Sequence, residues 1–297
     1  MSKRKYTVIF RTCDVVNAIN KNPRPFDLTK AELIKVCFLS LIDAFANVDY
    51  KIIILGDKLS DNMLNFFNKF DVEFVLGSYG NDDSIRESLK IAYNVPDDNW
   101  IYFCEDDYLH LPNCFKSIEV LLNEKEEVFS NQATINNLVI KNPSRKVYNF
   151  LRKVKKYYNN NFRNFNFSSF LNLGKKDLVV FLPDYPDRYI AKYLKHSLIF
   201  QTSDNNWRQI TDITFSFVLQ SSTVKKHFDM LNRSAYKAND RLLSKKFFGT
   251  YGFSAPAICL SPMPGFSSHM HRDTMTKLIN WEEITKQYLE IIKEKKY

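Results

Sequence analysis

Trp100-Ile101-Tyr102-Phe103-Cys104-Glu105-Asp106-Asp107 decides how this chain reads: five apolar or aromatic residues run directly into three consecutive acids. The apolar run has the length and character of a buried strand. Three adjacent carboxylates at its mouth repel one another at neutral pH unless some stay protonated or a cation is bound. Hard oxygen ligands point to Mg²⁺ or Mn²⁺. The bland alternative is a solvated acidic turn or a helix cap.

Upstream of this stretch, short apolar runs alternate with helical patterns. They are Tyr6–Phe10, a helix over Thr29–Ala46, Tyr50–Leu55, a helix from Asp61, Val72–Leu76 and a helix over Asp82–Tyr93. The order βαβαβαβ predicts an α/β fold, a mostly parallel sheet flanked by helices. Ligands of such sheets bind beyond the carboxyl ends of the strands. Those ends here are Arg11-Thr12-Cys13-Asp14, Gly56-Asp57, Gly77-Ser78 and Glu105-Asp106-Asp107.

Downstream, Pro112 opens a helix through Leu122. A basic stretch, Lys141–Lys156, then leads into the Asn- and Phe-rich run Tyr157–Leu173. That run reads either as a loop able to close over a site or as a low-complexity insertion. Strands are expected at Leu178–Leu182 and Ile210–Leu219, with a helix from Ser221 to Leu231. A polar link with Asp240 follows, then an apolar segment, Ala255–Leu260, ahead of His269 and His271. Apolar positions over Thr276–Lys295 repeat at helical spacing, so the last helix packs on the core or lies at a membrane interface.

The 297 residues, 45% hydrophobic and 25% charged, suffice for one large core or two merged subdomains. The formal charge of +9 is concentrated. Val128–Lys176 holds ten Lys or Arg and no Asp or Glu, leaving the rest of the chain close to neutral. Such a patch suits phosphates, an anionic membrane face or nucleic acid, or simply keeps a surface soluble. Five dispersed cysteines, Cys13, Cys37, Cys104, Cys114 and Cys259, fit reduced thiols better than a disulfide frame or a zinc site. No run of 18 apolar residues occurs, and Met1-Ser2-Lys3-Arg4-Lys5 leads into a strand; the expectation is a cytoplasmic protein, with peripheral contact at the inner face of a membrane through 141–156. Only seven glycines are present, and neither GxGxxG nor GxxxxGK[ST] is found. Phosphate held by a glycine-rich loop is therefore disfavoured, and a metal bridge is the natural substitute.

With these positions in place the chain resembles the GT-A glycosyltransferases, most closely their large inverting family of nucleotide-sugar transferases. Ile101-Tyr102-Phe103-Cys104-Glu105-Asp106-Asp107-Tyr108-Leu109-His110-Leu111-Pro112 looks like that family's strand, DxD motif and helix start, with Glu105 in place of the first Asp. The order of the preceding strands also matches. Ala238-Asn239-Asp240-Arg241 looks like the family's Glu-Asp catalytic motif with Asn in place of Glu. The likeness covers residues 6–122 well and 205–271 loosely, with none over 125–200. It implies a Rossmann-like nucleotide-sugar-binding half (1–122), a basic insertion (123–176) and an acceptor-binding half (177–297).

The resemblance implies a metal-dependent transfer of a sugar from a nucleotide-diphosphate donor to a glycan or lipid-linked acceptor. A divalent cation, Mn²⁺ or Mg²⁺, would offset charge building on the departing diphosphate. Asp107 is the favoured ligand and Asp106 lies nearer the ribose. Glu105 also competes for the metal, and His269 or His271 would add a ligand or a hydrogen bond. Arg11, Thr12, Cys13 and Asp57 are assigned to the base and ribose, with Asp57 accepting from a base N–H; Arg86 would reach the base or the diphosphate. An inverting transfer needs one general base. Asp240 is the candidate and Asp212 its rival; either would otherwise cap a helix or pair with Arg241 or Arg208. Trp207, Tyr185, Tyr189 and Trp100 are aromatic faces for sugars or plain core. Two other classes share some features: a nucleotidyltransferase, whose usual glycine-rich loop is missing from Arg11–Pro25, and a nucleic-acid-binding module built on the basic segment, which leaves the acids unexplained.

Overall fold

The computed structural model describes residues 4–15, 24–129, 138–139, 173–189, 197–237, 239–248, 255–271 and 274–297. The basic stretch 141–156, the Asn- and Phe-rich run up to 172 and most of the expected insertion lie outside the described residues.

The fold is α/β. β1 (Lys5–Thr12), β2 (Asp49–Asp57), β3 (Val72–Gly77) and β4 (Trp100–Glu105) form a parallel block in the order β3-β2-β1-β4, in register with Arg11 opposite both Leu55 and Glu105. The helices α1 (Lys30–Ala44), α2 (Asp61–Phe67) and α3 (Gly80–Tyr93) link these strands. Because successive side chains of a strand point to opposite faces, the sheet feeds two cores. Val8, Phe10, Tyr102 and Cys104 join Val36, Phe38 and Phe45 around α1. Ile9, Leu55, Ile101 and Phe103 join Ile85, Leu89 and Ala92 of α3.

Two side-chain caps set where the helices begin. Thr29 and Glu32 form a reciprocal capping box at α1. At α3 the carboxylate of Asp57 accepts from the backbone N–H groups of Tyr79 and Gly80, 2.8 and 2.9 Å away, where φ of Gly80 is +72°. Asp57 thus ties the end of β2 to the start of α3.

After β4 the chain turns through Asp106 and Asp107 into a short strand, β5 (Tyr108–His110), and the helix α4 (Cys114–Glu127) begins two residues beyond Pro112. β6 (Leu138–Val139), β7 (Asp177–Val180), β8 (Ser197–Gln201), β9 (Asn206–Ile210), β10 (Val218–Gln220) and β11 (Ala257–Met263) extend the same sheet to ten strands, in the order β3-β2-β1-β4-β10-β7-β11-β9-β8-β6. The pairing becomes mixed there: β7 and β11 run parallel to each other, while β10 is antiparallel to both β4 and β7. One sheet therefore joins the two halves of the chain.

The expected strand Ile210–Leu219 is in fact two elements. β9 ends at Ile210, residues 211–217 form a connecting loop that buries Ile213, Phe215 and Phe217, and β10 begins at Val218. Apolar alternation alone does not distinguish such a loop from a strand, because both bury every second residue. The expected helix from Ser221 is likewise two, α5 (Ser221–Lys226) and α6 (Phe228–Ser234), broken at His227.

β12 (Ser267–His269) pairs antiparallel with β5, setting His269 opposite Tyr108. Gly265 makes the approach possible, since a Cβ there would lie 2.5 Å from the backbone nitrogen of Asp184. The final helix, α7 (Trp281–Glu294), buries Trp281 and Tyr288 against α1, and the Tyr288 hydroxyl donates to Asp43 at 2.9 Å. Its apolar side is covered by core packing, and among the described residues no helix is long and apolar enough to cross a membrane.

Candidate metal and transfer site

The three acids that open the sequence reading are sent in three directions. Strand alternation carries Glu105 to the α3 side, where it pairs with Arg11. The same guanidinium donates to Asn81 and Ser84, 2.9 and 3.1 Å away on α3. Asp106 faces α1. Its Oδ2 accepts from the Thr12 hydroxyl at 2.9 Å and from the Cys13 backbone N–H at 3.1 Å, and its Oδ1 accepts from Lys30 Nζ at 2.7 Å. Each of these acids has a cationic side chain as partner, Arg11 at the end of β1 for Glu105 and Lys30 at the start of α1 for Asp106.

Asp107, in the turn, meets the histidines. Its Oδ2 lies 3.0 Å from His269 Nε2 and 3.4 Å from His271 Nε2. Among the described residues this is the one group of three or more such side chains whose ligand atoms converge, all within 4.8 Å. The other carboxylate oxygen, Oδ1, is buried and has no hydrogen-bond partner. An orphaned carboxylate oxygen beside two imidazole nitrogens is a donor set that fits a divalent cation with open positions. Burial opposes ionisation of Asp107, yet the charge on His269 and the hydrogen bonds from both imidazoles outweigh it and hold the carboxyl well below its usual range. Burial also opposes charge on His269, and Asp107 overrides it in turn, raising the imidazole.

Asp240 stands at the start of a helical turn, Asp240–Leu242, on the α3 side of the sheet. The preceding segment is fixed there by α6 and by the backbone N–H of Lys237, which donates to Asp82 in the first turn of α3 at 2.7 Å. Burial, reinforced by the charge of Glu105 and opposed by Arg11, pushes the Asp240 carboxyl up to about 6. A carboxylate poised there is ionised at neutral pH and still basic enough to take a proton.

The remaining assigned residues fall elsewhere. Asp57 is engaged as the α3 cap, and Arg86 pairs with Asp83 at 2.9 Å within α3. Asp212 is exposed in the loop after β9, where its carbonyl accepts from Arg188 at 3.1 Å. Trp207 and Trp100 are core residues; Tyr185 is partly buried, and Tyr189 is exposed beneath the Arg208 guanidinium, 4.6 Å from its ring. His110 is buried against the Tyr102 hydroxyl, 2.7 Å from its Nε2, and burial depresses it to about 3, making it a neutral core histidine.

Two participants were missed. Lys30 occupies the first turn of α1, where a cation opposes the helix dipole, and that misfit was the available signal that it has a carboxylate partner. Tyr108 stacks on His269 with ring centroids 4.8 Å apart and planes 9° from parallel. Its pairing depends on β12, for which the sequence carried no clear strand pattern.

No protein-family model matches the chain, nor does any curated protein. Solved structures similar to it include TarS of S. aureus, 11% identical over 97% of this chain and 40% of TarS, with a TM-score of 0.47. A nucleotidyl transferase from Methanothermobacter (Mth528) is 9% identical, covering 96% of this chain and 98% of its own, with a TM-score of 0.41. The galactosyltransferase LgtC, solved with donor and acceptor sugar analogues, is 10% identical, covering 96% and 95%, with a TM-score of 0.38. The chain spans only two fifths of the length of TarS.

Proposed function

We propose that the protein is a divalent-metal-dependent glycosyltransferase that moves a sugar from a nucleotide-diphosphate donor to a hydroxyl-bearing acceptor. The observation that carries this reading is the convergence of Asp107, His269 and His271 at the ligand edge of the sheet, with Asp240 raised to about 6 beside Glu105. Asp107, His269 and His271 would hold the cation, and the mixed oxygen and nitrogen set favours Mn²⁺ over Mg²⁺. When bound, the cation acts as a Lewis acid for the diphosphate oxygens. Asp240 accepts the proton of the acceptor hydroxyl as that oxygen attacks the anomeric carbon. The bond from the anomeric carbon to the diphosphate oxygen breaks, and its electron pair leaves with the diphosphate. Arg11, paired with Glu105, partly offsets the upward push that the Glu105 charge adds to burial at Asp240.

Calorimetry of UDP and GDP binding with and without Mn²⁺ tests the reading. Affinity is expected to depend on Mn²⁺ and to fall by roughly 10- to 100-fold in Asp107→Asn, the loss typical of a damaged metal site. Equal nucleotide affinity with and without Mn²⁺ in the unaltered protein would refute it.

A further inference from the structure

Tyr108 is fully buried, follows Asp107 directly, and is held at both ends. Its ring lies flat on the imidazole of His269, 4.8 Å between centroids and 9° from parallel, in the register set by the β5–β12 pair. Its hydroxyl lies 2.6 Å from Thr214 Oγ1 and 2.9 Å from the Tyr185 hydroxyl. Thr214 belongs to the loop between β9 and β10, and Tyr185 follows β7 and packs edge-on against Phe181. The Met270 N–H donates to the carbonyl of Asp107 at 2.8 Å, closing the backbone around the same pair.

An imidazole on a single short strand is free to rotate about its side-chain bonds unless something fixes the ring plane. Here the Nε2 of His269 points at Asp107, and its ring lies flat on Tyr108 while also touching the His271 ring, 4.0 Å between centroids and tilted by 54°. The Tyr108 ring is in turn fixed by two hydroxyls from the opposite half of the chain. We propose that Tyr108 is a positioning residue for the cation site: it holds His269 in its ligating orientation, and Thr214 and Tyr185 anchor it from the acceptor half. The inference rests on the reading of Asp107, His269 and His271 as a metal site. It adds that the site is completed by contacts spanning both halves of the sheet. Outer contacts that orient a ligating histidine commonly contribute 10- to 100-fold to metal affinity.

The test is Mn²⁺ binding by calorimetry, without nucleotide, on the full chain and on Tyr108→Leu, Tyr108→Phe and Thr214→Val. Tyr108→Leu removes the stack and is expected to weaken Mn²⁺ by about 10-fold or more. Tyr108→Phe keeps the stack and loses the anchor, so a smaller loss is expected. Thr214→Val removes one of the two hydrogen bonds that Tyr108→Phe removes, so its loss should be no larger, and combining the two should add little to Tyr108→Phe alone. Near-UV circular dichroism identifies variants that retain native packing. Unchanged Mn²⁺ affinity in a folded Tyr108→Leu overturns the proposal. If that variant does not fold, unchanged affinity in both Tyr108→Phe and Thr214→Val overturns it. Absence of Mn²⁺ binding in the unaltered protein removes the metal reading itself and the proposal with it, and that arm is read before any variant.

Discussion

At the scale of single residues, the acid triplet shows how neighbouring carboxylates coexist. Glu105 goes to Arg11, Asp106 to Thr12 and Lys30, and Asp107 to the histidines, so mutual repulsion is offset by three separate sets of partners. Burial pushes the Asp240 carboxyl up to about 6, and the sign of its effect follows from the direction of that shift. An acid whose folded pKa lies above its unfolded value stabilises the fold while protonated, and this contribution is lost as pH rises from about 4 through about 6. The same ionisation switches on its capacity as a base. Transfer is therefore expected to rise with pH through about 6 and level off above it, while Asp240→Asn abolishes transfer. The amide should also be more stable than the parent at pH 7.5, by about 1 kcal/mol once solvent screening is discounted. Rate–pH profiles and thermal melts of the two proteins check both statements; transfer retained in Asp240→Asn removes it as the base.

At the scale of elements, the ends of strands and the starts of helices hold the site together. Asp57 is the clearest case, since both its oxygens accept from the first amides of α3 and α3 carries Asn81 and Ser84 to Arg11. Asp57→Ala is expected to cost about 1–2 kcal/mol, as loss of a helix cap does. Denaturant melts measure the cost. If Asp57 instead served only a ligand, stability would be unchanged while nucleotide affinity fell. The β5–β12 pair has a comparable role, because two three-residue strands bring residues 107 and 269 together across most of the chain.

At the scale of the whole molecule, the continuous sheet makes the two halves one folding unit. β10 hydrogen-bonds to β4 on one side and β7 on the other, and α7 returns to cover α1. The three tryptophans sample this arrangement: Trp100 in β4, Trp207 in β9 and Trp281 at the start of α7. Variants retaining one tryptophan each are expected to report the same urea midpoint, as a cooperative transition requires. Separated midpoints for Trp100 and Trp207 would show that the halves unfold independently.

The amino-acid sequence by itself determined the parallel block, the ligand edge and the acid-bearing turn. These depend on local apolar periodicity, which repeats within each segment from Tyr6 to Cys104 and needs no knowledge of distant residues. Asp107 and Asp240 were legible as candidates for the same reason, lying in short patterns beside recognisable elements. Which acid faces the histidines was decided only in three dimensions. Strand alternation sends Glu105 and Asp106 to opposite faces, but their partners Arg11 and Lys30 lie 94 and 76 positions away. Tyr108, Thr214 and His269 come from three segments with no shared local pattern, and only the pairing of β5 with β12 and the path of the β9–β10 loop bring them into contact. Such contacts carry no local periodicity, because they arise from packing between elements and not within them.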